Sequence, residues 1–216
     1  MSQNQRIDES ASKDIRAYFG SSGSGKTHNI KKDTAALPRV LAFDPEGAFN
    51  SSDGFTCTTD RAEFYRLARG SGNVKLTYQG NGQADFNWWC NLVFALADCR
   101  RPCAIIVDEL AGVTTVSKAP PAWHQILTRV RKYGGKVFAG AQSPTEIDKT
   151  LMRQKNKLFV GYLERPDDHA YMAKETGIPE KVFLELRPDP YYEHVKYKGR
   201  EQWAAFDKSG NKKPIE

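Results

Sequence analysis

Apolar residues in this chain fall into short unbroken runs, each followed by a turn signal and a longer stretch of mixed character. Residues 15–19 (Ile-Arg-Ala-Tyr-Phe), 40–43, 74–78, 104–107, 136–141 and 157–162 are such runs. A continuous apolar run suits a strand buried on both faces of a parallel sheet. Between the runs the pattern predicts helices. One starts near Gly25, one covers 61–69, and one covers about 86–99 after the break Gly80-Asn81-Gly82. Another covers about 121–133, with Pro121 in its first turn and Gly134-Gly135 at its end; one starts at Ser143-Pro144 and one covers 167–175. Residues 191–197 and 202–206 read as a C-terminal β-hairpin turning at Lys198-Gly199. Strand and helix alternate along the chain, which predicts an α/β fold with a mainly parallel central sheet flanked by helices. The expected organisation is a flexible N-terminal arm over 1–13, one domain over 14–206 and a flexible basic tail over 207–216.

The first run feeds Gly20-Ser21-Ser22-Gly23-Ser24-Gly25-Lys26-Thr27, which fits the P-loop pattern of two glycines, Lys and a hydroxyl residue. Glycines at these places let several backbone N–H groups converge on one anion with a helix N-terminus behind them. Lys26 is expected to reach the β- and γ-phosphates of a nucleotide, and Thr27 to give its hydroxyl to Mg²⁺. A flexible Gly/Ser linker would not be preceded by an apolar strand and followed by Lys-Thr. The run at 104–107 ends in Asp108-Glu109. Asp108, emerging at the carboxyl end of a sheet, suits a Mg²⁺ ligand acting through water, and Glu109 suits the base that deprotonates an attacking water.

Composition narrows the field without choosing within it. A chain of 216 residues can bury one substantial core. No apolar run approaches the length of a membrane span, and residues 1–12 are polar, so neither a signal peptide nor an anchor is expected and a cytoplasmic location is. Cys57, Cys90, Cys99 and Cys103 lack paired metal-ligand spacing, which favours reduced thiols. Net charge is +6, with Lys149, Arg153, Lys155, Lys157, Lys196, Lys198, Arg200, Lys208, Lys212 and Lys213 crowding the C-terminal half. This permits a polyanionic partner, while a solvated surface explains the same residues equally well.

At least one strand separates the P-loop strand from the Asp108 strand in sequence, which suits the P-loop class with an added central strand and a catalytic glutamate. The guanine-reading Asn-Lys-x-Asp tetrapeptide is missing, since Asn156-Lys157 is followed by Leu158-Phe159; this favours ATP over GTP. Asp44-Pro45-Glu46-Gly47 then resembles the Asp-Pro-x-Gly signature of the FtsK–HerA superfamily of DNA-pumping ATPases. The block Arg129-Val130-Arg131-Lys132-Tyr133-Gly134, a strand, then Ala141-Gln142-Ser143-Pro144 is similar to that family's Gly-Arg-Lys-x-Gly, strand, Thr-Gln-x-Pro, with Val130 and Ala141 as departures.

The resemblance covers about residues 15–174 and implies a P-loop NTPase fold of the RecA/FtsK type, with ATP and Mg²⁺ as cofactors. It implies that Gln142 reads the γ-phosphate, the alternative being a cap for the next helix. It also implies that Arg131 reaches a neighbouring subunit's nucleotide, the alternative being a solvated helix face. Asp44 either touches the Mg²⁺ water shell or serves its turn. A core of this size resembles the genome-packaging ATPases of membrane-containing icosahedral viruses. That implies a ring, expected to be a hexamer, which grips double-stranded DNA through its phosphates in the host cytoplasm or at the virion, with capsid-vertex or viral membrane proteins as further partners. The competing expectations are a zonula occludens toxin-like morphogenesis ATPase of filamentous phages, a small-molecule or nucleotide kinase, and a nucleotide-dependent scaffold.

Overall fold

Residues 6–214 are described by the computed structural model. The strands are β1 (Ile15–Phe19), β2 (Arg39–Phe43), β3 (Thr56–Thr58), β4 (Val74–Tyr78), β5 (Cys103–Val107), β6 (Gly135–Ala141), β7 (Lys157–Val160), β8 (His194–Tyr197) and β9 (Trp203–Phe206). The helices are α1 (Lys26–Thr34), α2 (Arg61–Ala68), α3 (Gly82–Leu96), α4 (Pro121–Arg129), α5 (Lys149–Gln154), α6 (Pro166–Thr176) and α7 (Glu180–Leu184). All strands join one sheet in the order β3-β4-β2-β5-β6-β1-β7-β8-β9. Pairing is parallel from β3 to β7 and antiparallel where β8 and β9 close the far edge as the expected hairpin. The fold is α/β, with a mainly parallel sheet between helices.

The apolar runs are strands because both sheet faces are covered. On β5, Ile105 and Val107 point into the larger core with Phe43, Phe86, Trp89 and Trp123, while Ala104 and Ile106 point into a smaller one with Tyr18, Ile30 and Phe138. Each large aliphatic or Phe side chain taken from water contributes roughly 1.5–3 kcal/mol. Continuous apolar sequence is therefore the signature of these strands, and alternation is not. In the larger core Phe43 meets Phe86 edge-on with ring centroids 5.1 Å apart, a favoured aromatic arrangement.

β6 lies between β1 and β5, so the strand next to the P-loop strand in space comes late in the sequence. Register sets Phe19 opposite Ala141 and Val107 opposite Ala139. The residues that follow these strands (Gly20, Asp108 and Gln142) consequently emerge along one carboxyl edge.

Several boundaries differ from the sequence pattern. The helix expected at Ser143-Pro144 begins only at Lys149. Ser143 and Thr145 donate their hydroxyls to the buried Asp168 at 2.7 and 2.8 Å, which holds the segment as a turn. Asp148 then caps α5 through the Thr150 and Leu151 amides, while Trp123 Nε1 donates to its other oxygen at 3.1 Å. α3 starts before Phe86 and ends before Cys99, and the short β3 and α7 had no signal strong enough to show.

The expected arm over 1–13 does not hang free from residue 6 onward: Arg6 donates to the Ala95 and Ala97 carbonyls at 2.7 and 2.6 Å, and the Asp8 amide donates to Lys132 O. At the other end Lys213 N donates to Ala205 O and Asn211 hydrogen-bonds Asp207, so residues 207–214 fold back on β9. Residues 1–5 and 215–216 of the expected arm and tail lie outside the described residues.

Candidate active site

The loop between β1 and α1 takes its shape from its glycines. Gly20, Gly23 and Gly25 have φ of 152°, 73° and 81°, a region L side chains rarely adopt. Space is as tight as torsion: a Cβ on Gly20 would come within 2.3 Å of Ser24 Oγ. The loop is clamped by Gly20 N donating to Ala141 O and Ser21 N donating to Tyr162 O. Gly161, just after β7, leaves room for it, since a Cβ there would sit 2.7 Å from Ser24 O. Behind the loop stands the N-terminus of α1, whose first turn carries no acidic residue, so its partial positive charge faces the loop uncompensated.

In front of the loop is a cleft of about 310 Å³ lined by Ser21, Ser22, Gly23, Ser24, Gly25, Lys26, Thr27, His28, Glu46, Ala48, Asp108, Glu109, Gln142 and Tyr192. Most of the expected site residues meet here. Thr27 Oγ1 donates to Asp108 Oδ2 at 3.2 Å. Asp108 Oδ1 is buried with no hydrogen-bond partner among the described residues. Burial pushes the Asp108 carboxyl up to about 6, with Asp44 and Glu109 adding to the rise and Lys26 and Thr27 opposing it. A buried, unsatisfied carboxylate oxygen beside a threonine hydroxyl is a donor set that fits a hard divalent cation. Gly140 makes the position possible, since a Cβ on that residue of β6 would come 2.8 Å from Asp108 Oδ1.

Glu109 is one of two non-glycine residues described with positive φ, at 54°. Strain of this kind costs roughly 1–3 kcal/mol and gathers at functional positions. Here it turns the carboxylate back towards the loop, with Lys26 Nζ at 3.8 Å from Glu109 Oε2. Lys26 also donates to Gly20 O at 3.5 Å. Gln142, at the end of β6, lines the same cleft between the loop and the Asp108 strand.

Three expectations fare differently. Gly20 shapes the loop but does not line the cleft. Asp44 is wholly buried, and its carboxylate accepts the Gly47 amide at 3.0 Å and the Phe49 amide at 2.7 Å. Its carboxylate holds the turn, and Glu46 and Ala48 of this segment line the cleft. Arg131 lies in the turn Val130–Tyr133 before the amino end of β6, donating to Ala11 O at 3.3 Å, at the opposite end of the strand from Gln142. It has no part in the site of its own chain.

His28, Glu46, Ala48 and Tyr192 line the cleft without having been expected there, and Tyr192 comes from farthest along the chain. The pattern puts it in a strand over 191–197, but β8 begins only at His194; Tyr192 lies in the irregular segment before it, which the backbone bond from Asp189 N to Gly23 O at 3.1 Å ties to the loop. Gly140 and Gly161 could have been suspected, because a glycine within or just after a buried strand often marks a close approach.

No family model matches the chain. Over 193 residues it is 31% identical to Protein P9 of Pseudoalteromonas phage PM2, covering 87% of this chain and 86% of that protein. Its fold is similar to that of the genome packaging NTPase B204 from Sulfolobus turreted icosahedral virus 2 in complex with AMPPCP, with a TM-score of 0.70, 16% identity, and 94% of this chain and 98% of that one covered. The N-terminal domain of zonular occludens toxin from Neisseria meningitidis is similar at a TM-score of 0.51 and 16% identity, covering 93% and 96%.

Proposed function

The chain belongs to the family of Protein P9 of Pseudoalteromonas phage PM2, and from that premise we propose that it is an ATP-hydrolysing motor that drives double-stranded DNA into a viral capsid. The observation that carries the reading is the convergence of Lys26, Thr27, Asp108, Glu109 and Gln142 on one cleft at the carboxyl edge of β1, β5 and β6. A cation site, a phosphate cradle and a spare carboxylate together are the parts list of nucleotide hydrolysis, whereas nucleotide binding alone needs only the first two. Fold similarity to a genome packaging NTPase supports the assignment to packaging.

Backbone N–H groups of Ser21 to Thr27 bind the phosphates, and Lys26 neutralises charge between the β- and γ-phosphates. Thr27 and Asp108 would hold Mg²⁺, which when bound supplies charge neutralisation on the phosphate oxygens. Glu109 takes the proton of the attacking water, and Gln142 reads the γ-phosphate from the end of its strand. Arg131, pointing away from its own site, acts on the nucleotide of the next subunit in a closed ring, by resemblance a hexamer. The C-terminal lysines contact DNA phosphates. The place of work is the host cytoplasm or the capsid vertex; among the described residues no helix is long and apolar enough to cross a membrane.

The test is ATP hydrolysis by purified protein with and without duplex DNA. Turnover that rises with DNA and disappears in Glu109→Gln supports the motor. ATP turnover indifferent to any DNA overturns the translocase part, and phosphate transfer from ATP to a small acceptor would make the protein a kinase instead.

A further inference from the structure

A second cavity, of about 740 Å³, adjoins the phosphate cleft and shares Gly25, His28 and Tyr192 with it. Its other walls are Asn29 and Lys32 of α1, His194, Lys196 and Phe206 of the hairpin, and Lys208 to Gly210 just after it. Its volume falls within the roughly 300–1,000 Å³ of small-molecule sites. Lys26, Asp108, Glu109 and Gln142 line only the phosphate cleft. The hydrolysed γ-phosphate belongs beside those four residues, so the α-phosphate and whatever it carries must leave the cleft at its other end. That end is the set of shared residues, and beyond them lies the second cavity.

Tyr192 stands at the junction. Its φ of 45° is uncommon for an aromatic residue and turns the side chain towards the loop, where Cδ1 lies 3.4 Å from the place a Gly25 Cβ would occupy. Tyr192 is nevertheless 38% exposed, which leaves it open to a ligand. The segment carrying it is anchored by Asp189 N to Gly23 O and closed on itself by Tyr191 N to Pro188 O and Glu193 N to Arg187 O. Asp189 also lies beside the phenol and raises its pKa. An aromatic ring lining a roomy cavity beside the phosphate cradle is placed to receive a flat heterocycle.

Resting on the nucleotide reading above, we propose that the nucleoside of the bound nucleotide occupies this second cavity with its base stacked on Tyr192. The C-terminal segment thereby completes a site whose phosphate half is built near the N-terminus. Because Asp189 is bonded to the phosphate loop itself, base and phosphate contacts are mechanically joined through a single backbone hydrogen bond.

The experiment compares binding of Mg-ATP and of Mg-tripolyphosphate, which has the phosphates without the nucleoside, by calorimetry on the full chain. Wild type should bind ATP more tightly than tripolyphosphate. Tyr192→Ala should weaken ATP by about 5- to 150-fold, the range for loss of one base–aromatic stack, and leave tripolyphosphate unchanged. Tyr192→Phe, which keeps the ring, should restore ATP affinity and so separates stacking from misfolding. Equal weakening of both ligands in Tyr192→Ala would make the residue a support of the phosphate loop and overturn the inference, as would no weakening of either. If wild type binds neither ligand, the nucleotide reading itself fails; if it binds both equally, that reading stands and the nucleoside site falls.

Discussion

Lys26 Nζ lies 3.8 Å from Glu109 Oε2, so the cation of the phosphate loop also faces the carboxylate proposed to activate water. The two side chains are 10% and 19% exposed, which keeps their attraction only partly screened. A γ-phosphate entering the cleft competes with Glu109 for the same ammonium. On the proposed mechanism, loading the site would free the carboxylate to act on water.

Removing either partner should separate binding from chemistry. Lys26→Ala should lose nucleotide affinity by tenfold or more, since a charge-assisted contact to phosphate is lost and no other lysine lines the cleft. Glu109→Gln should keep that affinity and lose hydrolysis by about 10²- to 10⁴-fold, the usual contribution of a general base. Nucleotide titration and single-turnover hydrolysis read the two effects independently; wild-type turnover in Glu109→Gln would take the base assignment away from this residue.

Asp108 should show opposite effects on stability and function. Burial lifts its pKa from 3.8 to about 6, so the folded protein holds that proton more tightly than the unfolded chain does. Stability therefore falls as pH rises from about 4 to about 6, and the cost is fully present above that window. A shift of this size corresponds to an upper figure on the order of 3 kcal/mol. Asp108→Asn should melt higher than wild type at pH 7.5, with the gain vanishing near pH 4, and should lose Mg²⁺-dependent nucleotide binding. Thermal unfolding of both proteins across that pH range checks the sign.

Gly161 should be as demanding as any residue of the loop it supports. An alanine Cβ there would press on the Ser24 backbone carbonyl, which cannot swing away as a side-chain end could. Gly161→Ala should destabilise by about 1–3 kcal/mol, as overpacking does, and should displace the phosphate loop. Gly72→Ala is the matched control, because a Cβ there meets nothing within 4 Å. Comparable melting temperatures and nucleotide affinities for the two variants would contradict the close fit.

Arg131 lies at the wrong end of β6 to serve its own nucleotide, so a role in catalysis requires a second subunit. Arg131→Ala and Lys26→Ala should each be inactive alone, and mixing them should recover part of the activity, because some interfaces then hold both intact residues. Full activity of Arg131→Ala, or a mixture that forms rings and stays inactive, would remove the residue from catalysis.

The lysine-rich C-terminal half should bind DNA without reading it. Contacts to phosphate are screened and release counterions, so affinity should drop tenfold or more between about 50 and 200 mM salt while differing little among sequences. Binding measured by anisotropy on unrelated duplexes would expose a sequence preference or a flat salt response, and either would count against a motor that must grip any DNA.

The parts of the fold that were legible in sequence are those set by neighbours along the chain. Residues 15–19 announce a buried strand because apolar side chains on both faces leave no alternation. Gly20, Gly23 and Gly25 announce a phosphate loop because positive φ and close approach admit little else there. Asp108 and Glu109 stand out in the same way at the end of β5, whereas Gln142 at the end of β6 was marked only by the resemblance to a known family. The helix misplaced at Ser143 shows the limit. Its start moved to Lys149 because a carboxylate on α6, Asp168, captured the two hydroxyls that would otherwise have capped it.

The sequence by itself determined the α/β class and the phosphate-loop pattern, and it named the groups proposed to hold a cation and activate water. Each of these depends on local backbone preference or on the chemistry of one residue at one strand end. Only the tertiary structure decided which of those groups face one another. The insertion of β6 between β1 and β5 put Gln142 in the cleft and Arg131 out of it. The Gly47 and Phe49 amides tied the Asp44 carboxylate to its turn, while Glu46 lines the cleft. The bond from Asp189 to Gly23 carried Tyr192 from near the far end of the chain to the phosphate loop. The physical reason is that strand pairing and burial bring together residues distant in sequence, and a polar group's role is settled by whichever partner packing sets beside it.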